Sequence, residues 1–345
     1  MMAAPSIAVI VPNRNDARYL PRCLGSLLEQ EIGPDELLVV DDQSTDDSVA
    51  VIRSMIGGHP RTELLLNTVN LGVNRTINES LGRVRSDYVL LLSANDFVLP
   101  GIFARAKACF ARWPGAGLWS AMSWLVDEED RRIRLHASPV VALNDAHFST
   151  ERCVQLAHRF GNWFTGSTLI YHRDTLRAGG GFDPEYGAPS DLITALVIAS
   201  QRGAAYSPES FAAIRVHRDS YSSQTLRDLA SLEAMLGRLR SRGPERSPLL
   251  FTTRFLDRTT MRFRFAAIRT SNGALISAVA ASHEDWKRTA LFVIDRFVAP
   301  GLRTIRVAAA FLILRPFDIL PTFWNRILGW IVVRLRMALR QNPLS

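Results

Sequence analysis

Ser6-Ile7-Ala8-Val9-Ile10-Val11-Pro12-Asn13-Arg14-Asn15 places five uncharged apolar residues before a proline and a polar loop. An apolar run without alternation is the pattern of a strand covered on both faces, as in parallel sheets. It is too short for a signal-peptide core and reads as a first strand. Outward from it, β-rich runs at Glu36 to Val40, Glu63 to Leu66, Tyr88 to Leu92 and Leu118 to Trp124 alternate with helix-length amphipathic segments. That alternation predicts βαβ units, an α/β fold and a mostly parallel central sheet. Ser44 with Asp47 three residues on has the spacing of a capping box. Pro100 opens a helix that Pro114 and Gly115 close, and Gly203 ends a helix from about Asp191 to Gln201. In such a sheet the loops after the strand C-termini collect on one edge, where ligands bind.

With 345 residues and 47% apolar content, the chain suffices for a large α/β domain and a smaller appended element. Cys23, Cys109 and Cys153 stand far apart, which suggests neither a zinc site nor a disulfide framework. The net charge is +8, and residues 286–345 account for all of it, with ten basic residues against Asp295 and Asp318. A neutral body with a cationic tail follows. Large aliphatics interleave the tail's arginines, so no nucleic-acid partner is expected.

Asp41-Asp42-Gln43-Ser44-Thr45-Asp46-Asp47 follows the strand at Leu37 to Val40, at the ligand edge. Carboxylates there accept hydrogen bonds from a nucleobase N–H or ribose hydroxyls; a solvated turn that caps the next helix is the plain alternative. Ser93-Ala94-Asn95-Asp96 follows another strand. It reads either as oxygen donors for Mg²⁺ or Mn²⁺ clamping a diphosphate or as a polar turn leading to Pro100.

In order and spacing these segments resemble glycosyltransferase family 2, the inverting family with the GT-A fold, over roughly residues 6–220. The first strand with Pro12, Asn13 and Asn15 is similar to the family's nucleotide-side loop. Val39 to Asp46 is similar to its Asp-Asp-Gly-Ser-Thr-Asp element with Gln43 in place of Gly, and Asn70-Leu71-Gly72 through Arg75 and Asn78 is similar to its third signature. Thr165-Gly166-Ser167-Thr168 through Gly180-Gly181-Phe182-Asp183 resembles the acceptor segment, and Ser190-Asp191 falls where the family carries its general base. The resemblance implies a nucleotide-diphospho-sugar donor, a UDP-sugar foremost, held by Pro12, Asn13, Asn15, Asp41, Asp42, Asn70, Gly72, Arg75 and Asn95. Asp41 lies near the base and Arg75 near the donor. It further implies Asp191 as catalytic base and Asp96 and His217 as ligands of Mg²⁺ or Mn²⁺. The family's Asp-x-Asp-Asp is incomplete here, with Ser93 and Asn95 in place of carboxylates, which weakens the pull on a cation. Asp191 also has a plain reading, since an acid at a helix start is favoured by the macrodipole.

The expected organisation is a GT-A domain at 1–223, divided into a nucleotide-sugar half at 1–125 and an acceptor half at 126–223. A helical extension follows at 224–285, with its stripe of Leu226, Leu229, Leu232, Leu236 and Leu239, and then basic amphipathic helices at 286–345. No run reaches the ~20 apolar residues of a spanning helix. Phe323 to Arg340 sorts Trp324, Ile327, Leu328, Ile331, Val332, Leu335 and Leu339 from Arg326, Arg334, Arg336 and Arg340. That is the makeup of an interfacial helix on a membrane surface, with packing on the protein or at an oligomer interface as the alternative. The expected activity is sugar transfer to a glycan or lipid-linked hydroxyl at the cytoplasmic side of the inner membrane. A non-catalytic GT-A tether and a polyprenyl-phosphate glycosyltransferase are the alternatives.

Overall fold

A computed structural model describes residues 4–216, 226–271, 273–283, 285–299 and 301–318, and further on 329, 331, 332 and 335. The first part runs β1 (Ile7–Asn13), α1 (Leu20–Leu28), β2 (Glu36–Asp41), α2 (Ser48–Ile56), β3 (Thr62–Leu66), α3 (Val73–Ser80), β4 (Tyr88–Leu91), β5 (Phe97–Val98), α4 (Ile102–Arg112) and β6 (Leu118–Val126). Next come β7 (Arg132–Leu135), β8 (Ala146–Phe148), α5 (Thr150–Phe160), β9 (Ile170–His172), α6 (Arg173–Ala178), α7 (Ser190–Arg202) and β10 (Ala204–Arg215). The helices α8 (Leu229–Arg246), α9 (Thr253–Thr270), α10 (Ile276–Ala281), α11 (Trp286–Phe297) and α12 (Arg303–Leu314) complete the described elements.

One sheet orders its strands β3-β2-β1-β4-β9-β6-β10-β5. The first four are parallel, as the sequence predicts. Beyond them the sheet is mixed: β9 runs antiparallel between β4 and β6, and β10 returns parallel to β6. β1 sits inside, with Ile7 through Val11 fully buried. Its alternate side chains feed two cores. Ile7, Val9 and Val11 pack with Leu20, Leu24 and Leu27 of α1, while Ala8 and Ile10 join the core under α5, α7 and α8.

The capping-box expectation is corrected. Helix α2 starts four residues after Ser44, at Ser48, and its N-cap Asp47 makes no side-chain cap bond. Ser44 Oγ instead accepts the Asn15 amide, and Asp46 Oδ1 takes the Ser48 amide. The leucine stripe of α8 packs on the main body through Leu232, Leu236 and Leu239. A smaller core draws together Phe265 and Ile268 of α9, Ile276 and Val279 of α10, Leu291 and Ile294 of α11, and Ala310 and Leu314 of α12. No helix among the described residues is long and apolar enough to cross a membrane. The amphipathic stretch from Phe323 to Arg340 lies outside the described residues apart from four positions.

Candidate active site

The C-terminal ends of β1, β2 and β4 share an edge, and two strand spacings, about 10 Å, separate the β2 and β4 ends. At β2 the buried Asp41 takes the Ser44 amide on Oδ1 at 2.9 Å and the Asn13 side-chain amide on Oδ2 at 2.7 Å. Asn13, the last residue of β1, is only 2% exposed, and its Oδ1 has no hydrogen-bond partner. A buried acceptor left open at a strand end is ready for a donor from outside the chain. Asn15, at φ +56°, accepts the Thr45 amide at 2.7 Å and so ties the β1 loop to the acidic turn.

Asp42 does different work. Oδ1 accepts from Asn67 Nδ2 and the Leu71 amide, and Oδ2 accepts the Gly72 amide at 2.8 Å. Burial pushes its carboxyl up, but these hydrogen bonds outweigh that and hold it below the usual carboxylate range. The loop from Asn70 to Gly72 is thereby drawn onto the site edge, and Gly72, at φ +79°, makes the turn that starts α3. Arg75 is exposed on the first turn of α3.

Asp96 lies past β4 and is 5% exposed. Its Oδ2 accepts from Ser167 Oγ at 2.5 Å and its Oδ1 from the Arg215 amide at 2.9 Å. Burial raises it to about 6 despite both bonds. Ser167 belongs to a 3₁₀ turn, Gly166–Thr168, and a methyl built on Gly166 would stand 3.0 Å from Asp191 Oδ2. One short turn therefore bonds Asp96 and lies beside Asp191. Asp191 sits in the first turn of α7, where its Oδ1 accepts the Leu192 amide at 2.7 Å; burial raises it to about 6. A carboxylate held that close to neutrality, with Oδ2 beside a glycine, is suited to take a proton.

Sequence reading missed Arg215, at the end of β10 and 4% exposed. Its guanidinium donates to the carbonyls of Asn95, Asp127 and Glu128 and to the Asp130 carboxylate, and lies 4.5 Å from the Tyr19 ring centroid. Nothing in its local pattern sets it apart from other strand-end arginines. Asn78 was visible as a signature residue but not in its role: its side chain exchanges bonds with both the carbonyl and the amide of Phe182, holding the Gly180–Phe182 turn against α3.

The described residues do not fit a divalent cation. No group of three His, Cys, Asp or Glu gathers among them. Both Asp96 oxygens are engaged by the chain, and Asn95 and Ser93 are neutral. His217 lies outside the described residues.

A mixed sheet of this order with a helical extension is the GT-A fold. TarS 1-349 from S. aureus in complex with UDP-GlcNAc matches with a TM-score of 0.53 at 14% identity over 91% of each chain. The mannosyltransferase PcManGT from Pyrobaculum calidifontis, in complex with GDP-Man and Mn²⁺, matches at 0.55 and 21% identity over 91% of this chain and 88% of that one. Residues 8–108 match the family described as Glycosyl transferase family 2. An uncharacterized Mycobacterium tuberculosis protein is 28% identical over 245 residues, 69% of this chain and 75% of its own length. The Escherichia coli chondroitin synthase is 30% identical over 96 residues, 28% of this chain and 14% of the synthase; this chain matches only a small part of that longer protein.

Proposed function

We infer that the chain moves a sugar, with inversion, from a nucleotide-diphosphate sugar to a hydroxyl of a glycan or lipid-linked acceptor in surface glycan synthesis. The observation that carries this reading is the Gly166–Thr168 turn, which bonds Asp96 through Ser167 and lies beside Asp191 at Gly166. Asp191 Oδ2 receives the acceptor's hydroxyl proton as that oxygen attacks the anomeric carbon. The bond from that carbon to the diphosphate breaks, and its electron pair leaves with the diphosphate. The open Oδ1 of Asn13 and the ends of β1 and β2 hold the nucleoside. UDP-GlcNAc and GDP-Man in the fold relatives, and the glycan-synthase name of a sequence relative, support this donor and product class.

Membrane docking of the C-terminal helices belongs to the same reading. Trp286, Val293 and Phe297 are exposed along α11 beside Arg288 and Arg296, and Ile305 and Leu312 are exposed on α12. Apolar side chains flanked by cations suit an anionic leaflet such as the cytoplasmic face. Incubation with labelled UDP- and GDP-sugars and membranes tests transfer; failure to bind any donor refutes the reading. Donor binding without turnover, indifferent to Asp191→Asn, favours instead a non-catalytic nucleotide-binding tether, a reading motivated by the neutral Ser93 and Asn95. An acid-labile, phosphate-linked product identifies a polyprenyl phosphate as the acceptor.

A further inference from the structure

We propose that this chain handles its donor without a divalent cation, and that Asn95 is the residue that decides it. The inference rests on the donor reading above and starts from local charge. A Mg²⁺ or Mn²⁺ ion on a diphosphate needs anionic oxygens to offset its dehydration. After β4 the chain offers Ser93, Asn95 and Asp96, so one carboxylate stands in the row. That carboxylate is spent twice over. Both its oxygens accept from buried donors of the chain, Ser167 Oγ and the Arg215 amide. The Arg215 guanidinium, anchored on the Asn95 carbonyl, sets a fixed positive charge beside it. The pair Asp96 and Arg215 sums to zero. A cation drawing on Asp96 would share each oxygen with a buried donor and approach a guanidinium.

The acidic turn beside Arg215 offers no substitute. Asp127, Glu128, Glu129 and Asp130 form the turn after β6, and each is paired with an arginine. Asp127 and Glu129 pair with Arg131 at 2.7 and 2.9 Å, Glu128 with Arg18 at 2.6 Å, and Asp130 with Arg22 and Arg215. Asp41 and Asp42 are likewise engaged on both oxygens, by Asn13 and Ser44 and by Asn67, Leu71 and Gly72. Counter-charge for a departing diphosphate then falls to side-chain cations. Arg14, on the loop after β1, and Arg75, on the first turn of α3, are exposed near this edge.

The test uses the full chain and two readouts, titration calorimetry of UDP and of GDP in Mn²⁺ or in EDTA, and Mn²⁺ paramagnetic resonance on the protein with and without nucleotide. The wild type is expected to bind its nucleotide within about twofold in the two conditions and to give no bound-Mn²⁺ signal. Asn95→Asp is expected to acquire that signal and to bind nucleotide about tenfold tighter in Mn²⁺, a gain of about 1.4 kcal/mol. Wild-type affinity that rises tenfold in Mn²⁺, whether or not His217→Ala abolishes the rise, overturns the proposal. An Asn95→Asp protein that still ignores Mn²⁺ overturns the role given to Asn95. If neither nucleotide binds in any condition, the donor reading fails, while the resonance signals from wild type and Asn95→Asp alone still decide the cation question.

Discussion

Replacing Asp191 by Asn should cripple transfer and stabilise the protein at once. Asn keeps Oδ1 as acceptor for the Leu192 amide, now 2.7 Å away, and adds no heavy atom next to Gly166. The change therefore removes a charge and a proton acceptor and little else. Burial holds the wild-type carboxyl at about 6 against an ordinary value of 3.8. At about 1.36 kcal/mol per pKa unit the native state bears at most about 3 kcal/mol for ionising it, and roughly half that once its partial exposure to solvent is allowed for. The sign follows from proton counts. Between the two pKa values the native state binds more protons than the unfolded state, so stability falls as pH rises from about 4 to about 6, and the penalty is fully present at pH 7. Asp191→Asn should thus melt about 2–5 °C above wild type at pH 7 and lose that advantage near pH 4. Transfer should drop about 10²- to 10⁴-fold, with donor affinity retained. In the wild type, kcat/KM should fall tenfold per pH unit below about 6, because only the ionised carboxylate accepts the proton. Thermal melts at both pH values and a labelled-sugar transfer assay measure this. A variant within tenfold of wild-type turnover, or one that melts earlier at pH 7, refutes the reasoning.

Asp42→Asn turns an amide NH₂ toward the backbone donors of Leu71 or Gly72, and should cost about 1–3 kcal/mol in denaturant titrations at pH 7. Because this carboxyl is held below its ordinary value, its stabilisation is present above the unfolded pKa and lost as pH falls through the folded one, so the two proteins should converge in acid. Arg215→Met breaks a buried ion pair and frees three carbonyls, an expected loss of about 3–5 kcal/mol with faster proteolysis near Asp127 to Asp130. Gly166→Ala sets a methyl 3.0 Å from Asp191 Oδ2, so transfer should fall about tenfold at unchanged donor affinity; equal loss of both would place the defect elsewhere. Trp286→Glu with Phe297→Glu should abolish flotation with anionic vesicles while soluble donor binding persists, and unchanged flotation would contradict docking through α11.

Strands β1, β2 and β4 were readable because they are buried on both faces and so carry unbroken apolar runs, as Ile7 to Val11 does. Helix α7 was readable from Gly203, whose φ of +70° ends it. β9 was not readable as a sheet-joining strand. It is three residues long, and its place between β4 and β6 depends on pairings more than 50 residues away. The same limit applies to the site. Asp96 and Asp191 were legible as acids at element ends, but their common place beside the 166–168 turn and the wrap of Arg215 are tertiary facts with no local pattern. Ser44 misled for a related reason: its spacing to Asp47 suits a cap, yet a competing partner, the Asn15 amide, wins its hydroxyl oxygen.

The antiparallel insertion of β9 has a practical consequence for protein engineering. The segment matched by the family profile, residues 8–108, ends before the strand that covers the free side of β4 and before the hydroxyl that satisfies Asp96. Excised at that boundary, it would expose an unpaired ladder and a buried acid lacking Ser167 and Arg215. Grafts between relatives should therefore carry 8–108 together with β6, residues 161–172 and β10 as one inseparable cassette.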